Sequence, residues 1–281
     1  MSKQKITALM LKSLAKLPLF IVHFLGTLLG WLTYLSYKKY ARLIYQNLAL
    51  SQVSKDQVSF KKTLQRNISE TGKAFLETFA IWFKDYAKLT KWYQGCTGWE
   101  HVESALSQGK GIIFLTPHLG CFEITSLYYG QFHPITVLFR PPRQDWLMPL
   151  ISQGRERGKV SLAPANAQGV KLLLQALKRG EAIGILPDQA PHTGEGEWAP
   201  FFGRPAYTMT LASKLAEKSG AQVLMAFGER LANGGGYHIH ISPIEAGGIK
   251  TPALLNQAIE KTIAQCPSQY MWIYDRYKVR H

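Results

Sequence analysis

The chain has 281 residues, and 33 Lys and Arg against 18 Asp and Glu give it a formal net charge of +15. Its hydrophobic fraction of 46% excludes an intrinsically disordered chain, and its three cysteines exclude a small secreted module held together by disulfides. The excess of basic residues favours an acidic partner, which is nucleic acid, anionic lipid or an acidic protein. The low cysteine content is typical of a reducing compartment.

The N-terminal segment contains a long, uncharged and mainly apolar run, LPLFIVHFLGTLLGWLTYLSY, over residues 17–37. A helix of that length rises about 30 Å, which matches the hydrocarbon core of a bilayer. Lysines flank the run on both sides, and Trp31, Tyr34 and Tyr37 cluster at its end, as aromatic residues do at a membrane interface. We therefore predict a membrane-spanning or membrane-lying helix within residues 1–40, and a buried core helix is the alternative.

The rest of the chain, residues 41–281, is predicted to form one domain. Some segments carry apolar residues at helical spacing, whereas others are short apolar runs bounded by Gly or Pro, which is typical of buried strands. Strands that alternate with helices predict an α/β fold with a mainly parallel mixed sheet flanked by helices. The predicted helices are two within 40–92 and one each at 99–109, 123–129, 170–180 and 207–220, and the predicted strands are 111–117, 135–140, 182–188, 221–230 and 236–243.

A histidine five residues before a glutamate occurs three times, starting at His118, His192 and His240. Only His118 directly follows a predicted strand with a helix about to begin, and open α/β sheets bind their ligands at the carboxyl ends of strands. With His118 in the turn and Glu123 in the first turns of the helix, the carboxylate would hold one ring nitrogen and leave the other to accept a proton. Such a pair, without a protein nucleophile, suits the activation of a substrate hydroxyl. The alternative is a strand-end histidine that caps the helix.

Other catalytic chemistries lack their motifs in this sequence. It contains no Gly-x-Ser-x-Gly, no phosphate-binding P-loop and no Gly-x-Gly-x-x-Gly. Cys96, Cys121 and Cys266 form no Cys-x-x-Cys pair, and a metal held by His118 and Cys121 would lack two further ligands. The sequence therefore predicts neither a metal nor another cofactor, and Cys121 is interpreted as a small buried residue.

The stretch GKGIIFLTPHLGCFE, residues 109–123, resembles the first signature of the bacterial lipid A late acyltransferases, the lauroyl and myristoyl transferase family. That family belongs to a wider glycerolphosphate-acyltransferase-like group defined by His-x4-Asp/Glu. The resemblance continues through LFRPPR (138–143), ILPDQAPHTGEGEWAPFFGRPAYTMT (185–210) and QYMWIYDRYK (269–278), and it spans essentially the whole chain. It implies a glycerolphosphate-acyltransferase-like fold with an N-terminal membrane-associated helical extension.

By this resemblance, His118 is the general base and Glu123 is its orienting partner. Arg140 resembles an arginine that binds phosphate on the acceptor, and guanidinium groups independently suit phosphate oxygens; solvated loop arginines are the alternative. Asp188 and Gln189 align with a third signature in which related enzymes usually carry Glu-Gly, which leaves their role open. The predicted substrate-binding residues are Arg140, Arg143, Asp188, Gln189, Gly203 and Thr208.

The resemblance implies transfer of a fatty acyl chain from acyl carrier protein to a hydroxyl of a lipid A precursor at the cytoplasmic face of the bacterial inner membrane. The basic surface would then contact both an acidic carrier protein and anionic lipid. Another lipid acceptor is an alternative, namely a lyso-ornithine lipid, a lysophospholipid or a glycolipid. A non-catalytic basic module for membrane or nucleic acid is a further alternative, but no nucleic-acid-binding motif is present, and nucleic acid is not an expected partner.

Overall fold

The computed structural model describes residues 11–54, 56–142 and 144–278. Helices and strands alternate along most of this part of the chain. The strands are β1 (Tyr93–Thr97), β2 (Ile112–Leu115), β3 (Ile135–Phe139), β4 (Val160–Pro164), β5 (Ala182–Ile185), β6 (Gly196–Phe201), β7 (Arg204–Met209), β8 (Gln222–Arg230) and β9 (Tyr237–Pro243). The helices are α1 (Leu19–Ser36), α2 (Lys38–Ser51), α3 (Gln57–Phe83), α4 (Tyr86–Leu89), α5 (Trp99–Ser107), α6 (Phe122–Tyr129), α7 (Met148–Arg155), α8 (Ala167–Lys178), α9 (Leu211–Ser219) and α10 (Pro252–Ile263).

Seven of the strands form one central sheet in the order β1–β9–β8–β2–β5–β3–β4. Neighbouring strands are parallel throughout except for β8 and β9, which are antiparallel. The predicted mainly parallel mixed sheet is therefore confirmed. The strands β6 and β7 form a separate antiparallel hairpin.

Helices cover both faces of the central sheet, as the apolar runs of its inner strands require. In β2, Ile113 and Leu115 pack towards the face covered by α2, α8, α9 and α10. Ile112 and Phe114 pack towards the other face, which is covered by α5, α6 and the end of α3. Successive side chains of a strand point to opposite faces. A strand that is buried on both faces is therefore apolar at nearly every position.

Side-chain caps fix where two of the long helices begin. The Asp56 carboxylate accepts hydrogen bonds from the backbone N–H groups of Val58 at 2.8 Å and Ser59 at 2.9 Å, which starts α3. The Asn166 side chain accepts from the Gly169 N–H at 3.0 Å and starts α8. Asn166 also lies in the wall of the cavity at the carboxyl ends of the central strands, so this cap positions a part of that wall.

The structure corrects one predicted element. Residues 207–220, predicted to be a single helix, are divided between a strand and a helix, because β7 extends to Met209 and α9 begins only at Leu211. Apolar residues do recur at helical spacing there. The turn at Gly203, with a φ of 72°, nevertheless folds β7 back onto β6, and the hydrogen bonds of that hairpin determine the conformation.

The helix predicted over residues 17–37 is confirmed as α1. Within the described parts of the chain, α1 is the one helix that is long and apolar enough to cross a membrane by length and composition. It lies against α3, with Gly26 and Gly30 facing Gly72 at the point of contact.

Candidate active site

The turn between β2 and α6 holds His118 in a fixed position. The Met271 N–H donates to the His118 carbonyl at 3.0 Å, and the Gly120 N–H donates to the Gln269 carbonyl at 3.0 Å. Gly120 has a φ of 60°, and a Cβ at this position would lie 2.1 Å from the carbonyl oxygen of Gly228. The turn therefore requires glycine here and has little freedom to move.

Asp188 is the carboxylate that binds the His118 ring. The strands β2 and β5 are parallel neighbours in which Leu115 pairs with Ile185. His118 and Asp188 each lie three residues beyond this pair, so the sheet brings both side chains to the same edge. Asp188 Oδ1 lies 2.8 Å from His118 Nδ1, and Asp188 Oδ2 accepts from the His118 backbone N–H at 2.9 Å. Both carboxylate oxygens thus hold one histidine.

Asp188 is only 1% exposed, yet it remains charged. Burial alone would raise the pKa of this carboxyl, but the adjacent His118 ring and the hydrogen bonds from His118 lower the pKa below its ordinary value of 3.8. An ionised Asp188 favours the tautomer with the proton on His118 Nδ1, which leaves a lone pair on Nε2. The Gln189 amide nitrogen lies 3.1 Å from Nε2 and donates to it in this tautomer. The Asp188 contact thus leaves Nε2 as the nitrogen that can accept a proton once a substrate hydroxyl replaces the Gln189 amide there.

Glu123, the partner predicted for His118, binds other side chains. Its Oε2 accepts from Trp82 Nε1 at 3.1 Å and from Arg155 Nε at 2.8 Å, while Oε1 accepts from Arg155 Nη2. Among the hydrogen bonds of the described residues, none joins Glu123 to His118. His118 and Glu123 line the same cavity, but the carboxylate that contacts the His118 ring is that of Asp188.

Arg155 is the residue of this site that the sequence analysis missed. It ends α7, and its guanidinium lies 5.4 Å from the centre of the Trp82 ring. Burial alone would lower the pKa of Arg155, but the Glu123 carboxylate raises that pKa above its ordinary value. Glu123 and Arg155 therefore form an ionised pair in the cavity wall.

These side chains face a cavity of about 640 Å³, which is within the range of small-molecule sites. Apolar side chains from strands β2, β3 and β5 form much of its wall, and Gly184 leaves room at the middle of β5. The polar part of the wall includes His118, Glu123, Arg155, Gln189 and Arg140. The cavity thus combines a histidine held by a carboxylate, three cationic side chains (Arg140, Arg155 and Lys214) and a largely apolar surface.

Two of the remaining predicted substrate-binding residues, Gly203 and Thr208, lie outside the cavity wall. The Thr208 side chain is fully buried and accepts from Arg276 Nη2 at 2.8 Å and from Asn256 Nδ2 at 2.9 Å, so it ties the hairpin to the C-terminal segment and does not reach the cavity. Gly203 forms the hairpin turn, outside the cavity wall. Arg143 lies outside the described residues.

The two other histidines of the repeated pattern do not line the cavity. The His192 side chain is exposed in the loop before β6. His240 stacks on Phe227, with ring centres 4.6 Å apart, and its Nε2 lies 2.8 Å from a carboxylate oxygen of Glu229. The preference for His118 among the three therefore agrees with its position at the cavity.

The potential metal ligands of the described part of the chain are dispersed, and its three cysteines are free. No group of three or more His, Cys, Asp or Glu side chains is arranged there to hold a metal ion. Cys96, Cys121 and Cys266 are free, and Cys121 is buried as predicted. Burial raises the pKa of the Cys121 thiol well above its ordinary value, which keeps it protonated and poorly nucleophilic.

Comparison with known proteins assigns the chain to a family. Residues 4–279 match the family model described as bacterial lipid A biosynthesis acyltransferase. The lipid A biosynthesis lauroyltransferase of Escherichia coli K12 is 28% identical over 94% of this chain and 88% of its own length, and the palmitoleoyltransferase of the same organism is 29% identical over 94% and 87%. A lipid A biosynthesis acyltransferase of Haemophilus influenzae is 27% identical over 96% and 88%. This chain therefore belongs to the bacterial lipid A biosynthesis acyltransferases.

Proposed function

We propose that the enzyme transfers a fatty acyl chain from acyl carrier protein to a hydroxyl of a lipid A precursor, with His118 as the general base. The observation that carries this proposal is the His118 ring, which Asp188 holds at Nδ1 while Nε2 lies in the wall of a largely apolar cavity. Family membership supplies the class of reaction and the type of acceptor.

The proposed reaction needs one base and no covalent enzyme intermediate. His118 Nε2 accepts the proton of the acceptor hydroxyl as the oxygen attacks the carbonyl carbon of the donor thioester. The C–S bond then breaks, and the imidazolium returns the proton to the departing thiolate, so that an ester and a free thiol are formed. Asp188 stabilises the imidazolium while it exists, because its carboxylate is buried, ionised and 2.8 Å from Nδ1.

Glu123 is proposed to act through Arg155. The pair is held in the cavity wall, where a fixed guanidinium can stabilise negative charge on the thioester oxygen or on a phosphate of the acceptor. This role differs from direct orientation of His118, which was predicted from the sequence. Both roles make Glu123 important for activity.

The enzyme is further proposed to work at the cytoplasmic face of the inner membrane with acyl carrier protein as donor. Support comes from the net charge of +15, which suits both an acidic carrier protein and anionic lipid, and from the exposed apolar side chains of α1. The three free cysteines agree with a reducing compartment.

A comparison of donors tests this function. The purified enzyme is incubated with a phosphorylated lipid A precursor and either lauroyl-acyl carrier protein or lauroyl-coenzyme A, and products are quantified by mass spectrometry. We expect transfer from the carrier protein at a higher kcat/KM that falls as salt is added, because charge complementarity guides docking. Equal use of both donors at every salt concentration would contradict the carrier-protein assignment, and no transfer from either would contradict the function.

Replacing Arg140 by alanine is expected to raise the KM for the lipid acceptor by roughly 10- to 100-fold, since a charge-assisted contact with phosphate contributes about 1.5–3 kcal/mol. Arg140 is exposed at the cavity wall, where a phosphate on the acceptor can reach it. Steady-state kinetics with each substrate varied in turn gives the two KM values. Arg140→Lys should restore binding only in part, because lysine lacks the bidentate fork.

The matched control for Arg140 is Arg179→Ala. Arg179 is exposed on the surface and pairs with Glu181, outside the cavity wall, so its loss should leave both KM values unchanged. An unchanged acceptor KM in Arg140→Ala would contradict the phosphate contact. A donor KM that rises instead, with strong salt dependence, would assign Arg140 to carrier-protein docking.

Replacing Gly184 by alanine is expected to shift donor preference towards shorter acyl chains. A Cβ at Gly184 would lie 3.2 Å from Val137 Cγ2 and 3.7 Å from Ile135 Cδ1, all of which belong to the apolar wall of the cavity. Loss of space for one methylene should change the ratio of kcat/KM for two chain lengths by about fivefold, and Val137→Ala should change it in the opposite direction. Competition between donors of different chain length measures the ratio, and an unchanged ratio in both variants would mean that the acyl chain binds elsewhere.

A further inference from the structure

The outer face of α1 is apolar, and no other part of the described chain covers it. Its exposed side chains recur about every four residues, which places them on one side of the helix. Their exposed fractions run from 38% to 73%, an unusual amount of apolar surface for one helix of a folded protein. The residues of this outer face are Phe20, Phe24, Leu25, Leu28, Leu32 and Leu35.

The inner face of α1 is in direct contact with α3. A Cβ at Gly72 would lie 2.0 Å from the Gly26 carbonyl oxygen, and a Cβ at Gly30 would lie 2.2 Å from the Ile68 carbonyl oxygen. The two backbones therefore touch, which only glycine permits. Gly26 lies against Gly72, whereas Gly30, further along α1, lies against Ile68, which is earlier in α3. The two helices are therefore antiparallel over this stretch.

A buried polar network adds to this contact. His23 of α1 and Glu77 of α3 are 4% and 1% exposed, and His23 Nε2 lies 2.9 Å from Glu77 Oε2. The same carboxylate accepts from Arg230 Nε at 2.8 Å and from the Tyr237 hydroxyl at 2.8 Å. Because Arg230 and Tyr237 belong to β8 and β9, this network joins α1 to the central sheet through α3.

Both ends of α1 are also attached to the rest of the protein. Lys84 Nζ donates to the Ala15 carbonyl at 2.8 Å just before α1 begins. After α1 the chain bends into α2, where Asn47 Nδ2 donates to the carbonyls of Trp272 at 2.9 Å and Tyr274 at 3.1 Å. The helix is thus held along its whole length and does not extend away from the catalytic domain.

Charged side chains of α3 lie beside the middle and the C-terminal end of α1. A cavity of about 720 Å³ on this flank is lined by Trp31 of α1 and by Lys62, Arg66 and Lys73 of α3. If α1 crossed the bilayer while bound to α3, these cations would enter the hydrocarbon, which is strongly unfavourable. If α1 lies in the membrane surface, its outer face enters the acyl chains and the same cations remain among the headgroup phosphates.

We propose that α1 lies in the surface of an anionic bilayer, with its outer face in the lipid and with Lys62 and Arg66 bound to headgroup phosphates. The proposal rests on the membrane attachment proposed above and is independent of the catalytic assignment. It replaces a spanning anchor by a helix that fixes the catalytic domain against the membrane.

Fluorescence quenching measures the depth of α1. Single cysteines that carry an environment-sensitive probe replace Phe24, Leu28 and Leu32 in the full chain, with the native cysteines changed to serine or alanine. Vesicles contain equal parts of phosphatidylethanolamine and phosphatidylglycerol, with nitroxides placed near the headgroup or near the end of the acyl chain. We expect all three probes to be quenched alike and mainly by the shallow nitroxide. A probe at Lys171, which is exposed on α8, should remain unquenched.

A spanning helix predicts a different pattern, with deep quenching strongest at Leu28 and shallow quenching at the other two positions, and this pattern would overturn the proposal. Protection of a cysteine at Lys16 from an impermeant maleimide, while a cysteine at Lys171 reacts, would overturn it as well. If the protein did not bind these vesicles, the membrane surface would be excluded as the partner of α1. Because none of these readouts uses activity, they are distinguishable from a failure of the proposed function.

The headgroup contact has its own test. The double variant Lys62→Ala with Arg66→Ala should bind the same vesicles more weakly by on the order of tenfold or more, since each basic residue near an anionic surface contributes about fivefold. The loss should disappear at high salt and on vesicles of phosphatidylcholine alone. Lys171→Ala with Lys178→Ala is the matched control, because both lysines are exposed on α8. If the control pair weakened vesicle binding equally, the effect would be a general electrostatic attraction, and the assignment of Lys62 and Arg66 to the headgroups would be contradicted.

Discussion

His118→Ala is expected to lower kcat for acyl transfer by about 10²- to 10⁴-fold, which is the contribution typical of a general base. The variant removes the ring that binds Asp188 and lines the cavity. It should remain folded, because His118 lies in a turn whose position is fixed by backbone hydrogen bonds of its neighbours. Rates of product formation by mass spectrometry, together with circular dichroism and thermal unfolding, measure both properties.

The matched controls are His192→Ala and His240→Ala, which carry the same His-x4-Glu spacing. Both side chains lie outside the cavity wall, and both variants should retain most of the activity. If His192→Ala were as inactive as His118→Ala, the choice of base would be wrong. Full activity in a folded His118→Ala would contradict the mechanism itself.

Asp188→Asn is expected to lower kcat by a similar factor, about 10²- to 10⁴-fold. Asparagine can still bind the ring, but it cannot stabilise the imidazolium, and its amide favours the wrong tautomer. The KM values should change little, because Asp188 is 1% exposed and lies behind His118, where substrates do not reach it. Steady-state kinetics of the purified variant separates kcat from KM.

Variants at Glu123 and Arg155 show which carboxylate serves the base. If Glu123 acts through Arg155, Glu123→Gln and Arg155→Gln should lose kcat by similar factors. Glu123→Gln should also lower the free energy of unfolding, because it leaves the half-buried Arg155 guanidinium without its counter-charge. If Glu123 orients His118 directly, Glu123→Gln should be inactive while Arg155→Gln and Asp188→Asn stay within a few-fold of the wild type. The second outcome would restore the dyad predicted from the sequence.

The sequence contains a pattern that indicates Asp188 as the carboxylate beside His118, although the spacing of His118 and Glu123 favours Glu123. IIFLTPH ends at His118 and AIGILPD ends at Asp188, so each is an apolar strand followed by a proline and a polar residue at the same offset. Parallel neighbours with matched ends bring such residues together. What the sequence lacks is the strand order, since β2 and β5 are adjacent only because the chain returns to the middle of the sheet.

No pattern in the sequence indicates that Arg155 belongs to the site. It lies 32 residues beyond Glu123 and reaches that carboxylate because α7 packs on α3, where Gly154 lies against the Trp82 ring. Such a contact depends on how two distant helices pack, which no local pattern encodes.

The inner strands of the sheet were predicted well, whereas its edges were not. β2, β5 and β8 are buried on both faces and therefore appear as continuous apolar runs. β1 and β4 form the two edges, and their mixed sequences, YQGCT and VSLAP, carry no clear strand pattern. The hairpin of β6 and β7 was missed because its pairing is decided by the turn at Gly203, while its apolar residues also fit a helix.

The most direct test of the central claim is the mass of the lipid product. The purified enzyme is incubated with lauroyl-acyl carrier protein and a phosphorylated lipid A precursor, and the lipid extract and the protein are both examined by mass spectrometry. We predict a lipid heavier by one lauric acid less one water, and an ester on fragmentation. We also predict no acyl group on the protein. Asp188→Asn and His118→Ala should lack the lipid product on the same time scale. An unchanged precursor with the wild-type enzyme, equal product with His118→Ala, or an acylated protein intermediate would contradict the account.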